Sequence, residues 1–177
     1  VPPSNTGALM LWIAQPDGSY REQAAQLFSG PITSAYTFSD VHVADFNGDG
    51  VPDVYVPDYG PDNSGTLKQS TPKLALSTST GFVDASARFA GLAPRLIHTG
   101  AIADIDGNGT VDIYVGSNTG APVPGKKPYL LLNDGKGNFT FDQSRLPAVV
   151  LGQTPEQGAR SKQIDATTWY IADERFP

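Results

Sequence analysis

The 177-residue chain contains no cysteine. That excludes a disulfide framework, thiolate catalysis and thiolate metal sites. It does not exclude secretion, because metal loops can staple a fold in place of disulfides. Histidine is almost as scarce: there are two, His42 and His98. They stand at unequal distances before the acidic loops described below, so they read as ordinary strand residues rather than a shared metal site. No run approaches the ~20 apolar residues of a membrane-spanning helix. No Ser-His-Asp order, nucleophile elbow or phosphate loop appears, so no catalytic constellation is visible. The net charge of −6 argues against nucleic acid as a partner. Lys126-Lys127 is too short to count as a basic patch. No signal peptide is visible and the chain starts at Val1 rather than Met, as a mature, processed or excised piece would.

Turn formers are abundant: 19 glycines and 15 prolines, spread along the chain. With 39% hydrophobic residues, this composition predicts a folded chain of short strands and many turns. Six of the fifteen aspartates fall in two near-identical stretches, Asp45-Phe46-Asn47-Gly48-Asp49-Gly50-Val51-Pro52-Asp53 and Asp104-Ile105-Asp106-Gly107-Asn108-Gly109-Thr110-Val111-Asp112. Oxygen-bearing side chains occupy positions 1, 3, 5 and 9 of each, and glycine occupies position 6. Gathered anions repel unless a cation lies between them, and calcium takes six to eight hard oxygen ligands with loose geometry. Asp45, Asn47, Asp49 and Asp53 would supply one site, with the Val51 carbonyl. Asp104, Asp106, Asn108 and Asp112 would supply the other, with the Thr110 carbonyl. Two bound calcium ions would bring the charge from −6 to −2. An EF-hand is excluded, because position 12 is Val56 or Val115 instead of a bidentate glutamate and the flanks read as strands. Magnesium, which demands stricter octahedral geometry, suits the pattern less well. Bound to a cation, these aspartates would be poor general acids for glycoside cleavage.

The loops also reveal a repeat. Asp45 and Asp104 set a period of 59 residues. Val41–Asp45 aligns with Gly100–Asp104, and Asp53–Val56 with Asp112–Val115. Between the loops a second element recurs: an apolar strand, a glycine turn, then an aromatic. Leu9–Ile13 leads to Tyr20, Lys73–Leu76 to Phe82, and Tyr129–Asn133 to Phe139. Four antiparallel strands in about 60 residues is the size of a β-propeller blade, so the fold class expected is all-β. The expected division is outer strands of a first blade at 1–38, a second blade at 39–97, a third at 98–160, and an inner strand of a next blade at 161–177. Asp173 would open a third loop that has lost its metal or is cut short. Tyr55 and Tyr114 are expected to pack between blades, and Trp12 and Trp169 to lie in the core or an interface. Glu22–Phe28 and Ala85–Phe89 have length for a helical turn or so each, and read as loops or edge strands. Three blades are too few to close a ring. Either the rest of a larger propeller chain or further copies of this one would complete it.

The stretches Val43–Gly50 with Asp53–Val56, Ile102–Gly109 with Asp112–Gly116, and Leu130–Gly135 through Phe139 resemble the calcium-binding FG-GAP or VCBS repeats. Those repeats build the β-propeller of integrin α subunits and occur in many secreted bacterial proteins. The resemblance covers most of residues 8–145. It implies an extracellular or cell-surface protein in which calcium holds blades together and an unknown protein or carbohydrate ligand binds elsewhere. Affinity for the ion would be weak, on the order of 10⁻⁴ M as in extracellular modules. The function expected is therefore binding, adhesion or assembly. The alternatives are the propeller part of a secreted polysaccharide-degrading enzyme and a structural subunit of a surface layer or filament.

Overall fold

The structure, a computed structural model, describes residues 7–30, 32–34, 41–58, 62–63, 66–67, 70–89, 91–92, 94, 97–117, 128–146, 160–163 and 169–172. Asp173 and residues 174–177, which bear on the proposed third loop, and Lys126-Lys127 lie outside them.

Short β-branched and aromatic runs punctuated by glycine and asparagine turns produce short strands throughout. The chain opens with β1 (Gly7–Ala8), β2 (Trp12–Ala14), β3 (Tyr20–Glu22), the single helical turn α1 (Ala24–Leu27) and β4 (Thr33–Ser34). β2 and β3 form a hairpin, and β1 pairs with β4, both antiparallel. Next come β5 (His42–Ala44), β6 (Asp53–Val56), a small hairpin of β7 (Asp62–Asn63) and β8 (Thr66–Leu67), then β9 (Lys73–Thr78) and β10 (Gly81–Asp84). A 3₁₀ turn at Ser86–Phe89 leads to β11 (Ile97–Ala103), β12 (Asp112–Ser117), β13 (Tyr129–Asn133) and β14 (Phe139–Asp142). The hairpin of β15 (Arg160–Gln163) and β16 (Trp169–Ala172) follows.

Two four-stranded antiparallel sheets carry the architecture, in the orders β5-β6-β9-β10 and β11-β12-β13-β14. They share one plan. An inner pair of strands brackets an acidic loop, and its second strand pairs with the first strand of an outer hairpin. Val54 stands opposite Ala75 in the first sheet, and Ile113 opposite Leu131 in the second. The fold is all-β, as its turn-rich composition predicts. The expectation of loop or edge strand at Glu22–Phe28 and Ala85–Phe89 is corrected: each contains one helical turn, Ala24–Leu27 and Ser86–Phe89. Such turns are too short to show the 3.6-residue periodicity that marks a helix in sequence.

The main core lies between the two sheets. Phe46, Tyr55, Leu74 and Leu76 from the first meet Ile113, Val115, Tyr129 and Leu131 from the second, all buried. Each fully buried side chain of this size contributes about 1.5–3 kcal/mol. Phe139 of the second sheet packs edge-on against Phe46, with ring centroids 6.1 Å apart, and lies 5.2 Å from Phe89. Tyr55 reaches across to β11, where a Cβ added at Gly100 would lie 3.2 Å from its ring. Tyr55 thus packs between sheets, as its repeat position predicts. Burial in this apolar seam pushes its phenol well above its ordinary pKa, with Tyr129 adding to the effect. Tyr114 is buried on the opposite face of the second sheet with Ala101 and Leu130.

Trp12 departs from the core expectation: it is 57% exposed. Its strand pairs with β3 alone among the described residues, so no inner strands flank it. Trp169 lies in β16, and its side chain is outside the described residues. His42 is half-buried in β5 and His98 lies in β11.

Candidate metal centre

Both acidic loops span the turn between inner strands, β5 to β6 and β11 to β12. Their internal hydrogen bonds match position by position. At position 1, Asp45 accepts from the amides of Gly48, Asp49 and Gly50 at 2.7, 3.2 and 2.8 Å. Asp104 accepts from Gly107, Asn108 and Gly109 at 2.8, 3.1 and 2.9 Å. At position 3, Asn47 and Asp106 each accept from the amide two residues on, Asp49 and Asn108. At position 5, Asp49 accepts from the Val51 amide and Asn108 from the Thr110 amide and hydroxyl. These side-chain turns drive the chain around a small radius, and the glycines at positions 4 and 6 adopt left-handed φ values of 77–84° to complete it.

Position 9 differs in environment. Asp53 and Asp112 are fully buried, whereas positions 1, 3 and 5 are half-buried or exposed. One oxygen of Asp53 accepts from the Phe46 amide at 2.8 Å, and the other from the Ser77 amide and hydroxyl at 2.7 and 2.9 Å. One oxygen of Asp112 accepts from Ile105 and Asp106 at 2.7 and 3.2 Å, and the other from the Asn133 amide at 2.7 Å. This residue therefore ties the loop to the first strand of the outer hairpin. Each carboxylate oxygen has two lone pairs, so an oxygen engaged by an amide retains capacity for a cation.

Asp104, Asp106 and Asp112 each present a carboxylate oxygen, and the three oxygens lie within 4.8 Å of one another. This is the one such group of three acidic or histidine ligands among the described residues. Burial pushes the Asp112 carboxyl up from its ordinary range. The amides of Asn133 and Ile105 oppose that shift, and the charge of Asp106 reinforces it. The three acids of the first loop do not form an equivalent group, because its position 3 is an amide, Asn47, and its third acid, Asp49, stands at position 5. There Asn47 Nδ2 donates to Asp49 at 3.0 Å. The Val51 carbonyl at position 7 accepts weakly from Ser77 Oγ at 3.4 Å, and Thr110 turns its hydroxyl to the Asn133 carbonyl at 2.9 Å.

The residues missed by sequence reasoning are Ser77 and Asn133. Asn133 also donates from Nδ2 to the carbonyls of Val111 in its own loop and Phe46 in the other, at 3.0 and 2.8 Å. One side chain thus joins both acidic loops. The signal was present: each residue lies in the outer strand directly opposite the aromatic that follows the turn, Ser77 opposite Phe82 and Asn133 opposite Phe139.

No curated protein and no solved structure is a significant match to the chain. Residues 3–56 match the family model of the FG-GAP-like repeat, a stretch that takes in β1, the β2–β3 hairpin, β4, β5 and the first acidic loop and ends with β6. The chain therefore carries an FG-GAP-like repeat over residues 3–56.

Proposed function

We propose that this chain is an extracellular, calcium-stabilised segment of a propeller-like domain that binds or assembles rather than catalyses. The observation that carries the reading is the convergence of Asp104, Asp106 and Asp112 within 4.8 Å, in a loop whose turn is already set by backbone amides. The donor set is all hard oxygen, which suits calcium and disfavours thiophilic metals. Asp104, Asp106, Asn108 and Asp112 would hold one ion with the Thr110 carbonyl, and Asp45, Asn47, Asp49 and Asp53 a second with the Val51 carbonyl. The ion would supply charge neutralisation and no reaction step. Because the unfolded chain lacks the site, binding energy becomes folding energy.

Thermal melting with and without calcium tests the proposal. At a free concentration one hundredfold above Kd, each site adds about 2.7 kcal/mol, or roughly 5–10 °C in melting temperature for a domain of this size. Identical melting curves in excess calcium and excess chelator would overturn it.

A further inference from the structure

Asn133 is buried, and its polar groups serve both acidic loops and the turn that follows it. Its Oδ1 accepts from the Gly135 amide at 3.1 Å, which orients the side-chain amide and directs Nδ2 at two carbonyls. One is that of Phe46 in the first loop, the other that of Val111 in the second. The bonds continue on both sides. The Phe46 amide donates to Asp53, the buried position-9 acid of the first loop. The Asn133 amide donates to Asp112, the position-9 acid of the second. The Asn133 carbonyl accepts from the Asn108 side chain and the Thr110 hydroxyl. An unbroken run of hydrogen bonds therefore connects Asp53 with Asn108, Thr110 and Asp112 of the other loop. Ser77, at the same register position of the first sheet, does less. Its hydroxyl bonds Asp53 and, weakly, the Val51 carbonyl, both in the loop of its own sheet. The longer amide spans the seam, and the serine does not.

We infer that the two loops bind calcium with positive coupling, and that the Asn133 side chain carries the coupling. A loop that opens takes its carbonyl away from a buried amide hydrogen, and leaving such a donor without a partner is costly. An ion that locks one loop shut prevents that loss and orders the other loop in advance. Occupation of either site raises the affinity of the other by about fivefold or more. The contribution through space has the opposite sign. Each empty loop carries three carboxylates, Asp45, Asp49 and Asp53 or Asp104, Asp106 and Asp112. An ion in one loop weakens the field that draws an ion to the other, and salt screens that effect over about 8–10 Å. The inference rests on the calcium reading above and specifies its regulation. The two sites fill together over a narrow range of calcium concentration.

Calorimetric titration with calcium tests it on the full chain, on Asp49→Ala, which disables the first site, and on Asp106→Ala, which disables the second. The same three titrations are repeated with Asn133→Ser, a side chain that Ser77 shows this register position to accept. The coupling factor is the product of the two stepwise association constants of the two-site chain, divided by the product of the two single-site constants. It is expected to be at least about five with Asn133 in place and close to one with Asn133→Ser. With Asn133 it is also expected to hold between about 0.1 and 0.5 M potassium chloride. A factor near one in the unaltered chain, or a raised factor that survives Asn133→Ser, would overturn the inference and leave two calcium sites standing. So would a factor below one that rises toward one with added salt, which assigns the coupling to charge alone. The titrations that keep Asn133 decide between coupled and independent sites even if Asn133→Ser does not fold. Absence of both binding heat and a calcium-dependent melting shift would remove the calcium reading itself, and the coupling with it.

Discussion

Asp104 and Asp112 bracket the same loop, and both accept three backbone amides, yet they carry different structural weight. Asp104 is half-buried and its amide donors sit on exposed turn residues, where water would replace the carboxylate. Asp112 is fully buried, and the amides it accepts from Ile105 and Asn133 have no such substitute. Removing one partner of a buried hydrogen bond to a charged group costs the desolvation of the group left behind. In excess chelator, Asp112→Ala is therefore expected to lower unfolding free energy by about 3 kcal/mol or more, and Asp104→Ala by about 1 kcal/mol. In calcium both losses grow, since each variant also forfeits a ligand. Urea unfolding of both variants under the two conditions measures the difference. Equal losses in chelator would mean that position 9 is only a ligand and does not fasten the loop to the outer hairpin.

At the scale of the element, the loop and its bracketing strands were legible in the sequence because their chemistry is local. Acids at fixed spacing, glycines that permit left-handed φ, and alternating flanks all reside within a dozen residues. The pairing of each inner strand with an outer hairpin followed from the repeat. What was missed were contacts that depend on register between distant segments, legible only by counting from the aromatic that follows each turn. Ser77 and Asn133 differ in chemistry but occupy one register position, and nothing in either side chain alone announces that its amide serves the aspartate. Trp12, expected in the core or an interface, is not in the core for a related reason: an apolar strand is buried within the chain only where its neighbours are present. The loop also has a pH signature. Burial raises the Asp112 carboxyl in the metal-free fold above its value in the unfolded chain. The native state therefore binds more protons in the interval between those two values, and this group's contribution to stability grows as pH falls through that interval and is lost as pH rises. Calcium acts in the opposite sense, because it requires the ionised carboxylate. The melting increment produced by calcium is thus expected to shrink as pH falls through that same interval, both because the ion is released and because the metal-free fold gains from Asp112. Differential scanning calorimetry at several pH values, with Asp112→Asn as the control lacking this titration, reads the effect. A calcium increment independent of pH over that range would remove Asp112 from the site.

For the whole molecule, the question is how the two sheets hold each other. Apolar burial between them supplies most of the energy, but the acidic end of the seam is fixed by backbone. Asn133 links Phe46 of one loop to Val111 of the other, and Arg88 reaches from the first sheet to the Lys136 carbonyl and the Asn138 side chain in the turn of the second. Gly48, at position 4 of the first loop, lies so close to that turn that an added Cβ would sit 2.7 Å from the Gly135 carbonyl oxygen. Gly107 holds the same position in the second loop with nearly the same φ, 78° against 77°, and an added Cβ there would meet nothing within 4 Å. The pair separates local strain from contact between sheets. Both alanine variants bear the left-handed cost of about 1–2 kcal/mol. Only Gly48→Ala must also push the sheets apart at a backbone atom that cannot rotate away, adding about 1–3 kcal/mol. Denaturant unfolding in excess chelator, where ligand effects are absent, is expected to rank Gly48→Ala well below Gly107→Ala. Calcium should recover Gly107→Ala more fully, because its loop is distorted without disturbing the seam. Equal destabilisation of the two variants would show that the first acidic loop and the turn of the second sheet are not packed against each other in solution.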